Sequence, residues 1–293
     1  MALMNGVRSL IKNGLGKINY FSKEDKIINY MRYQTATQVL FKKLPKRVIC
    51  QEKYNGMFIR MARDGQMYTR TNKWVGAGQV IGWANPTKFD CLGELVCQGN
   101  SRKVIGLVSK LRAGTITDEE AEQLNIKWFD CLSGEPFERR LERLWKSSPY
   151  EPDYIVGTKK EAYYQAIEFV RRGKEGAMVS DPNAFYEEGV RTNSHLKLKR
   201  AYDADFEVVD FKKGDADGSL VVKSRDVKNP IVANVKYHGE LYDVCKGCVV
   251  TVRFTEALDT SLKSPRLVSL RIDKDIADSK IEIKASKPFI RVN

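Results

Sequence analysis

The sequence predicts an α+β protein in which an antiparallel sheet with interspersed helices is followed by a small β-barrel. Three observations carry that reading. Helical and strand-like segments are mixed through the first two thirds of the chain without regular alternation, which favours α+β over a doubly wound parallel sheet. From residue 205 onward the pattern becomes five short apolar-alternating runs separated by turns. The length, 293 residues, exceeds one typical domain and suits two. The expected units are residues 1–203 and 204–293.

The elements follow in chain order. Residues 23–40 carry apolar side chains at helical spacing up to the stop at Leu44-Pro45-Lys46, predicting a short helical lead-in. Between Val48 and Cys97, short alternating runs are broken by Asp64-Gly65, by Gly76 to Gly78 and by Asn85-Pro86, the pattern of strands and turns. Helices are expected at 117–125, with Thr117 as N-cap and acids in its first turn, at 135–148, and at 159–173, ended by Gly173. The barrel strands are DFEVVDF, SLVVKS, IVANVKYHG, CVVTVRFTEAL and RLVSLRID. Five strands in so short a span suggest a barrel of the OB type, with a small sandwich as the alternative.

Composition narrows the function classes. The chain is 42% hydrophobic and 30% charged, and no apolar run approaches the 18 or so residues of a membrane span. The N-terminal stretch lacks the apolar core and cleavage site of a secretory signal, so an intracellular protein is expected. The six cysteines are scattered through apolar runs and are expected to be reduced; the lone pair Cys245 and Cys248 lacks the second pair or histidine that zinc would need. A formal charge of +13 favours a polyanionic partner. The excess is concentrated early: residues 1–50 hold 10 Lys+Arg against 2 Asp+Glu, or +8, whereas residues 205–293 hold 16 against 14, or +2.

Lysine is protonated near neutral pH and serves as a nucleophile only where its surroundings are built for it. In QEKYNGMF, Lys53 is followed by the turn-formers Asn55 and Gly56, and taken alone it reads as a solvent-facing hairpin residue. Six further stretches follow in order: Thr69-Arg70, CLGELV with Glu94, WFDCLSGEPFERRLERL with Phe129 and Asp130, GKEGAMV with Glu175, HLKLKR with Lys197 and Lys199, and LRIDKD with Arg271, Asp273 and Lys274. Singly, each has a plain structural reading as an exposed charge or a core aromatic. In this order, across residues 50–275, they resemble the motifs of the ATP-dependent DNA ligases, within the lysine nucleotidyltransferase superfamily that also holds RNA ligases and capping enzymes.

The resemblance implies a nucleotidyltransferase domain over 1–203, an OB-fold domain over 204–293, and sealing of nicks in duplex DNA through a lysine–AMP intermediate and a DNA-adenylate. It implies ATP and a divalent cation, Mg2+ or Mn2+, as cofactors, with Lys53 as the nucleophile. It also implies that Gln51, Glu52, Asn55, Gly56, Arg70, Glu94, Phe129, Glu175, Lys197 and Lys199 bind the nucleotide, Phe129 stacking on adenine and Gln51 reaching its exocyclic amine. Glu94 and Glu175 would hold the metal, and Arg271, Asp273 and Lys274 the pyrophosphate. On a β reading, Lys197 and Lys199 are expected to point to opposite sides, so that one meets the α-phosphate. His195, beside them, is expected to be incidental.

Two departures stand out. Asn55 replaces the family aspartate, and Phe58 stands where the family often has an arginine two after the glycine, leaving Arg60 as the candidate substitute. Residues 212–219 have no room for a long DNA-encircling insertion, which shifts duplex contact to the body and the basic N-terminal segment. The expected setting is a monomer in the cytoplasm or nucleoid of a bacterial or phage-infected cell, in replication or repair, with no membrane partner. The alternatives are an RNA ligase, a guanylyltransferase using GTP, and a non-catalytic OB-fold binder of nucleic acid.

Overall fold

The computed structural model describes residues 30–98, 101–146, 154–212, 218–237 and 244–290. The basic N-terminal segment up to residue 29 and the tip of the 212–219 turn lie outside the described residues.

The chain begins with β1 (Arg32–Thr35), α1 (Gln38–Lys43) and β2 (Arg47–Glu52). The expected helical lead-in is thus corrected within its described part: residues 32–35 form a strand that pairs in parallel with a later one, and helix starts only after the cap at Thr37. Tyr, Gln and Thr in that stretch suit a half-buried strand, and sheet pairing overrides the helical spacing.

β3 (Met57–Met61), β4 (Gln66–Thr69), β5 (Trp74–Ala77), β6 (Cys91–Val96) and β7 (Asn125–Cys131) build a five-stranded antiparallel sheet in the order β5-β4-β3-β6-β7. Between β6 and β7 stand α2 (Ser101–Ala113) and α3 (Asp118–Ala121), the latter with the capping box at Thr117 that its sequence announces. After α4 (Phe137–Lys146), the strands β8 (Tyr154–Thr158), β9 (Gly176–Ser180) and β10 (Arg191–Lys212) join β2 in a second sheet, β8-β2-β9-β10, with α5 (Lys159–Arg171) packed on it.

This second sheet is covered on both faces. Along β2, Val48 and Cys50 enter the apolar cluster under Ala162, Ala166 and Val170 of α5, whereas Ile49 enters the cluster shared with the first sheet, α2 and α4. The period of two then puts Gln51 on the same face as Ile49. β10 obeys the same rule: Leu196 and Leu198 face α5, and the alternate residues face the first sheet.

β10 is 22 residues long and continues past its pairing with β9. From Tyr202 to Glu207 it pairs with β13 (Val249–Phe254), and from Glu207 to Lys212 with β11 (Gly218–Lys223). With β12 (Val232–Tyr237), the two-residue pair β14 (Glu256–Ala257) and β15 (Leu262–Lys263), and β16 (Arg266–Leu270), the main strands close into a five-stranded barrel, β10-β11-β12-β16-β13-β10. Its only parallel pairing is β12 with β16 among the described residues. Phe206, Val208, Leu220, Val222, Val235, Val250, Val252 and Phe254 fill it, and Ile283 of α6 (Lys280–Ala285) closes one end. β17 (Phe289–Ile290) returns to pair with Arg200 and Ala201, between the sheet and barrel parts of β10.

Candidate active site

A cleft of about 290 Å³ opens between the two sheets. Its rows come from the register of β2, β9 and β10. Gln51 lies opposite Met178, and Met178 opposite Lys197; one row deeper, Ser180 lies opposite His195; one row shallower, Gly176 lies opposite Lys199. Lys53 extends the shallow row, its backbone N–H donating to the Gly176 carbonyl at 2.9 Å.

The Lys53 ammonium donates to Glu175 at 2.7 Å, and Lys199 approaches the other Glu175 oxygen at 3.4 Å. Burial pushes the Glu175 carboxyl up, but Lys53 and then Lys199 outweigh it and hold it below its ordinary value. Glu94, on β6, accepts from the Gly56 N–H at 3.1 Å. Burial pushes its carboxyl up to about 6 against the pull of Lys53 and of that N–H. Lys197 is shifted the other way, to about 8, by burial and then by the repulsion of Lys199, Lys53, Arg70 and Arg191.

Both lysines of the K-x-K pair therefore line the cleft. The expectation that they point to opposite sides is wrong because residues two apart on a strand share a face; Leu198, between them, is the one that turns away.

Gly56 is required by a close approach: a Cβ there would stand 2.2 Å from the Leu95 carbonyl oxygen. The contact is with the backbone of β6, which draws the Lys53 loop against Glu94. Gly176 plays the same part between β9 and β10, at φ +138° and with the Leu198 carbonyl 2.0 Å from a built Cβ.

The F-D stretch divides its work. Phe129 lines the cleft beside Phe58, ring centroids 6.1 Å apart, and its carbonyl accepts from Gln51 Nε2 at 3.4 Å. Asp130 points the other way and is fully buried with Arg140, in a two-point pair of 2.7 and 3.1 Å. Arg140 also donates to the carbonyls of Glu135 and Ala184. The arginine of this motif thus braces the strand that carries Phe129. Arg70 lies over the Phe58 ring at 4.6 Å.

Arg60, the candidate substitute, is placed away from the cleft lining. It is buried and donates to Asp90 at 2.7 Å and to the Tyr30 hydroxyl at 3.0 Å. Glu52 lines the cleft and is paired with Lys174, and Asn55 is exposed. Arg271, Asp273 and Lys274 are not brought to the cleft either. On the barrel, Arg271 donates to Asp273 and to Asp205, and Lys274 to Asp205 and Asp278.

The sequence reading missed Tyr33, Tyr54, Phe58, Phe137, Met178, Ser180 and His195 as cleft residues. Met178 and Ser180 carry a legible signal, because they alternate with Ala177 and Val179, which enter the cluster under α5. His195, expected to be incidental, has the same alternation as Lys197 and is 1% exposed at the deep end.

For a divalent cation the site offers Glu94, which lines the cleft, and Glu175, which is bonded to the cleft residues Lys53 and Lys199; among the described residues, no group of three or more His, Cys, Asp and Glu side chains could hold a metal by itself. Two carboxylates together with ligand phosphates suit magnesium, which keeps several waters and seldom uses an all-protein cage.

The fold is that of small DNA ligases. No protein-family model and no curated protein matches the chain. A solved structure from work on Lig E DNA ligases, concerning DNA binding with a minimal scaffold, superposes with a TM-score of 0.65 at 20% identity, over 82% of this chain and 99% of its own. The structures named Pmar-Lig_Pre and Pmar-Lig_PreS3 give TM-scores of 0.66 and 0.64 at 18% and 17% identity, over 85% and 84% of this chain and 68% of each of theirs. No helix among the described residues is long and apolar enough to cross a membrane.

Proposed function

We propose that the chain is an ATP-dependent DNA ligase that seals nicks in duplex DNA. The observation that carries the reading is the placement of Lys53, 2.7 Å from Glu175 in a cleft that also holds Glu94, Arg70, Lys197, Lys199 and Phe129. Nucleotidyl transfer is mainly positioning and charge neutralisation, and this set supplies both.

In the first step the Lys53 amine, freed of its proton, forms a P–N bond to the α-phosphorus of ATP while the P–O bond to pyrophosphate breaks. Lys197 and Lys199 neutralise the phosphate oxygens, and Phe129 stacks on the base. Glu94 and Glu175 are the residues that would hold a magnesium ion, which would supply further neutralisation of the phosphoryl charge. In the second step an oxygen of the DNA 5′-phosphate attacks the same phosphorus, the P–N bond breaks and the lysine takes up a proton. In the third, the 3′-hydroxyl attacks the 5′-phosphorus and AMP leaves.

We read residues 1–203 as the nucleotidyltransferase domain and 204–293 as an OB-fold domain; the barrel's strand order and its one parallel pairing support the latter. The change of partners along β10 near Arg200 to Tyr202 is where we place a hinge. Through it the barrel would bring Arg271, Asp273 and Lys274 to the pyrophosphate and then turn to the duplex.

The test is incubation with α-labelled ATP and magnesium, followed by nicked duplex DNA and nicked RNA in parallel. Label on the chain, lost in Lys53→Ala and passed to nicked DNA in preference to RNA, is expected. Absence of label, or label retained by Lys53→Ala, would refute the nucleotidyltransferase reading; preference for RNA would turn it into an RNA ligase.

A further inference from the structure

At the deep end of the cleft one polar atom is left without a partner. His195 lines the cleft from β10, is 1% exposed, and its Nδ1 is engaged with the Ser180 hydroxyl at 2.8 Å. Its Nε2 is buried and has no hydrogen-bond partner among the described residues. The ring is wedged edge-on against Phe137, centroids 4.7 Å apart, and tilted against Tyr33 at 5.2 Å, so it cannot swing away to find one. Burial, then the nearby Arg140, pushes the His195 pKa down to about 3, so the ring is neutral and carries one N–H. An orphaned buried polar atom is costly, and a ligand that satisfies it recovers that cost.

The rows of the sheet indicate which ligand. Lys53 and Lys199 mark the phosphate end; His195 lies two rows deeper, about 13 Å along the strand. That is the scale of a mononucleotide, with the base at the deep end. Gln51, in the row between, has Nε2 committed to the Phe129 carbonyl, which leaves Oε1 as its free acceptor. An acceptor there suits the exocyclic amine of adenine and opposes the O6 of guanine.

We propose that His195, with Ser180 donating to Nδ1 and so fixing the Nε2–H tautomer, is a base-reading residue that donates to a ring nitrogen of adenine. With Gln51 it presents an acceptor and a donor. On either edge, adenine offers a donor beside an acceptor, N6 with N1 or N7. On guanine's Watson–Crick edge the two are reversed, and on its other edge O6 and N7 both accept. A site built to bond such groups rejects the analogue that leaves them unpaired. This inference rests on the proposed use of ATP.

The experiment measures equilibrium binding of ATP, 1-deaza-ATP, 7-deaza-ATP and GTP to the wild type, to His195→Phe and to His195→Gln, whose amide nitrogen can reach the position of Nε2, with thermal melting to check folding. The wild type is expected to bind one deaza analogue roughly 5- to 20-fold more weakly than ATP, the scale of one buried hydrogen bond. His195→Phe abolishes that difference and narrows the preference for ATP over GTP, and His195→Gln retains part of both. If all three proteins give the same profile over the four nucleotides, or if neither deaza analogue is discriminated by the wild type, the assignment is overturned. A folded wild type that neither binds ATP nor takes label from it refutes the proposed function itself; one that takes label but shows a flat deaza profile refutes only the role of His195.

Discussion

Replacing Glu94 by glutamine should stabilise the protein and disable it. Glu94 is raised from 4.5 to about 6, chiefly by burial. A carboxyl whose folded pKa lies above its unfolded value contributes stability that is fully present below about 4.5 and is lost as pH rises through 6. The shift from 4.5 to about 6 corresponds to about 2 kcal/mol, at about 1.4 kcal/mol per pKa unit. Glutamine has the shape of the neutral acid and keeps an oxygen for the Gly56 N–H, so Glu94→Gln escapes the loss. At pH 8 the variant should therefore be up to about 2 kcal/mol more stable than the wild type, and at pH 4 the two should coincide.

Activity moves in the opposite direction, because the carboxylate that burial penalises is the one proposed to share a cation with Glu175. Self-adenylylation of Glu94→Gln should fall by about 100-fold or more, the scale of losing one preorganised electrostatic contact. Denaturant unfolding at pH 4 and pH 8, paired with labelling by α-labelled ATP, reads both effects. A variant less stable than the wild type at pH 8, or a stability difference that does not change with pH, would refute the burial argument; undiminished labelling would remove Glu94 from the proposed mechanism.

Two more outcomes follow from the same geometry. Arg140→Met leaves Asp130 as an unpaired carboxylate at zero exposure and should cost about 3–5 kcal/mol in guanidinium unfolding; a loss below about 1 kcal/mol would mean that the pair braces nothing. Lys197, with its pKa held near 8, should give the adenylylation rate a falling limb above that pH, and Lys197→Arg, whose charge does not titrate, should lack it.

The sheets, the main helices and the barrel were legible because each depends on local period and turn chemistry: the capping box at Thr117, Gly173 closing α5 at φ +80°, and five alternating runs after residue 205. Helix α2 went unread although Val104, Leu107, Val108 and Leu111 hold its core stripe, a signal the sequence did contain. The candidate site was legible as a set of residue types in order, but its geometry was only partly so. That Gly56 answers to the Leu95 carbonyl, or that Arg60 is spent on Asp90 and Tyr30, depends on contacts 30 or more residues apart in sequence that no local pattern encodes. His195, expected to be incidental, shares the alternation of Lys197, but that it lies opposite Ser180 at the deep end of the cleft depends on the register of β9 with β10.

The charges around the cleft explain why the body of the protein, and not the barrel, has the appetite for an anion. Lys53, Arg70, Lys197 and Lys199 line the cleft with Glu94, while Glu175 is bonded to Lys53 and Lys199 and the cleft-lining Glu52 is taken up by Lys174, so four cations meet two carboxylates, an excess of two. The excess is visible in Lys197, which the other cations and burial push down together. On the barrel the balance is reversed: Arg271 and Lys274 meet three acids, Asp205, Asp273 and Asp278, and Asp205 is held low, burial notwithstanding, by its bonds from Lys274 and Thr251. A polyphosphate entering the cleft relieves repulsion among cations already gathered there, whereas recruiting Arg271 and Lys274 to it means drawing them from carboxylates they already hold. On the proposed function, that difference would place nucleotide binding in the body before engagement of the barrel, and the grip of Asp205, 5% exposed at the start of the barrel strand, on the two cations would set how readily the second event follows the first.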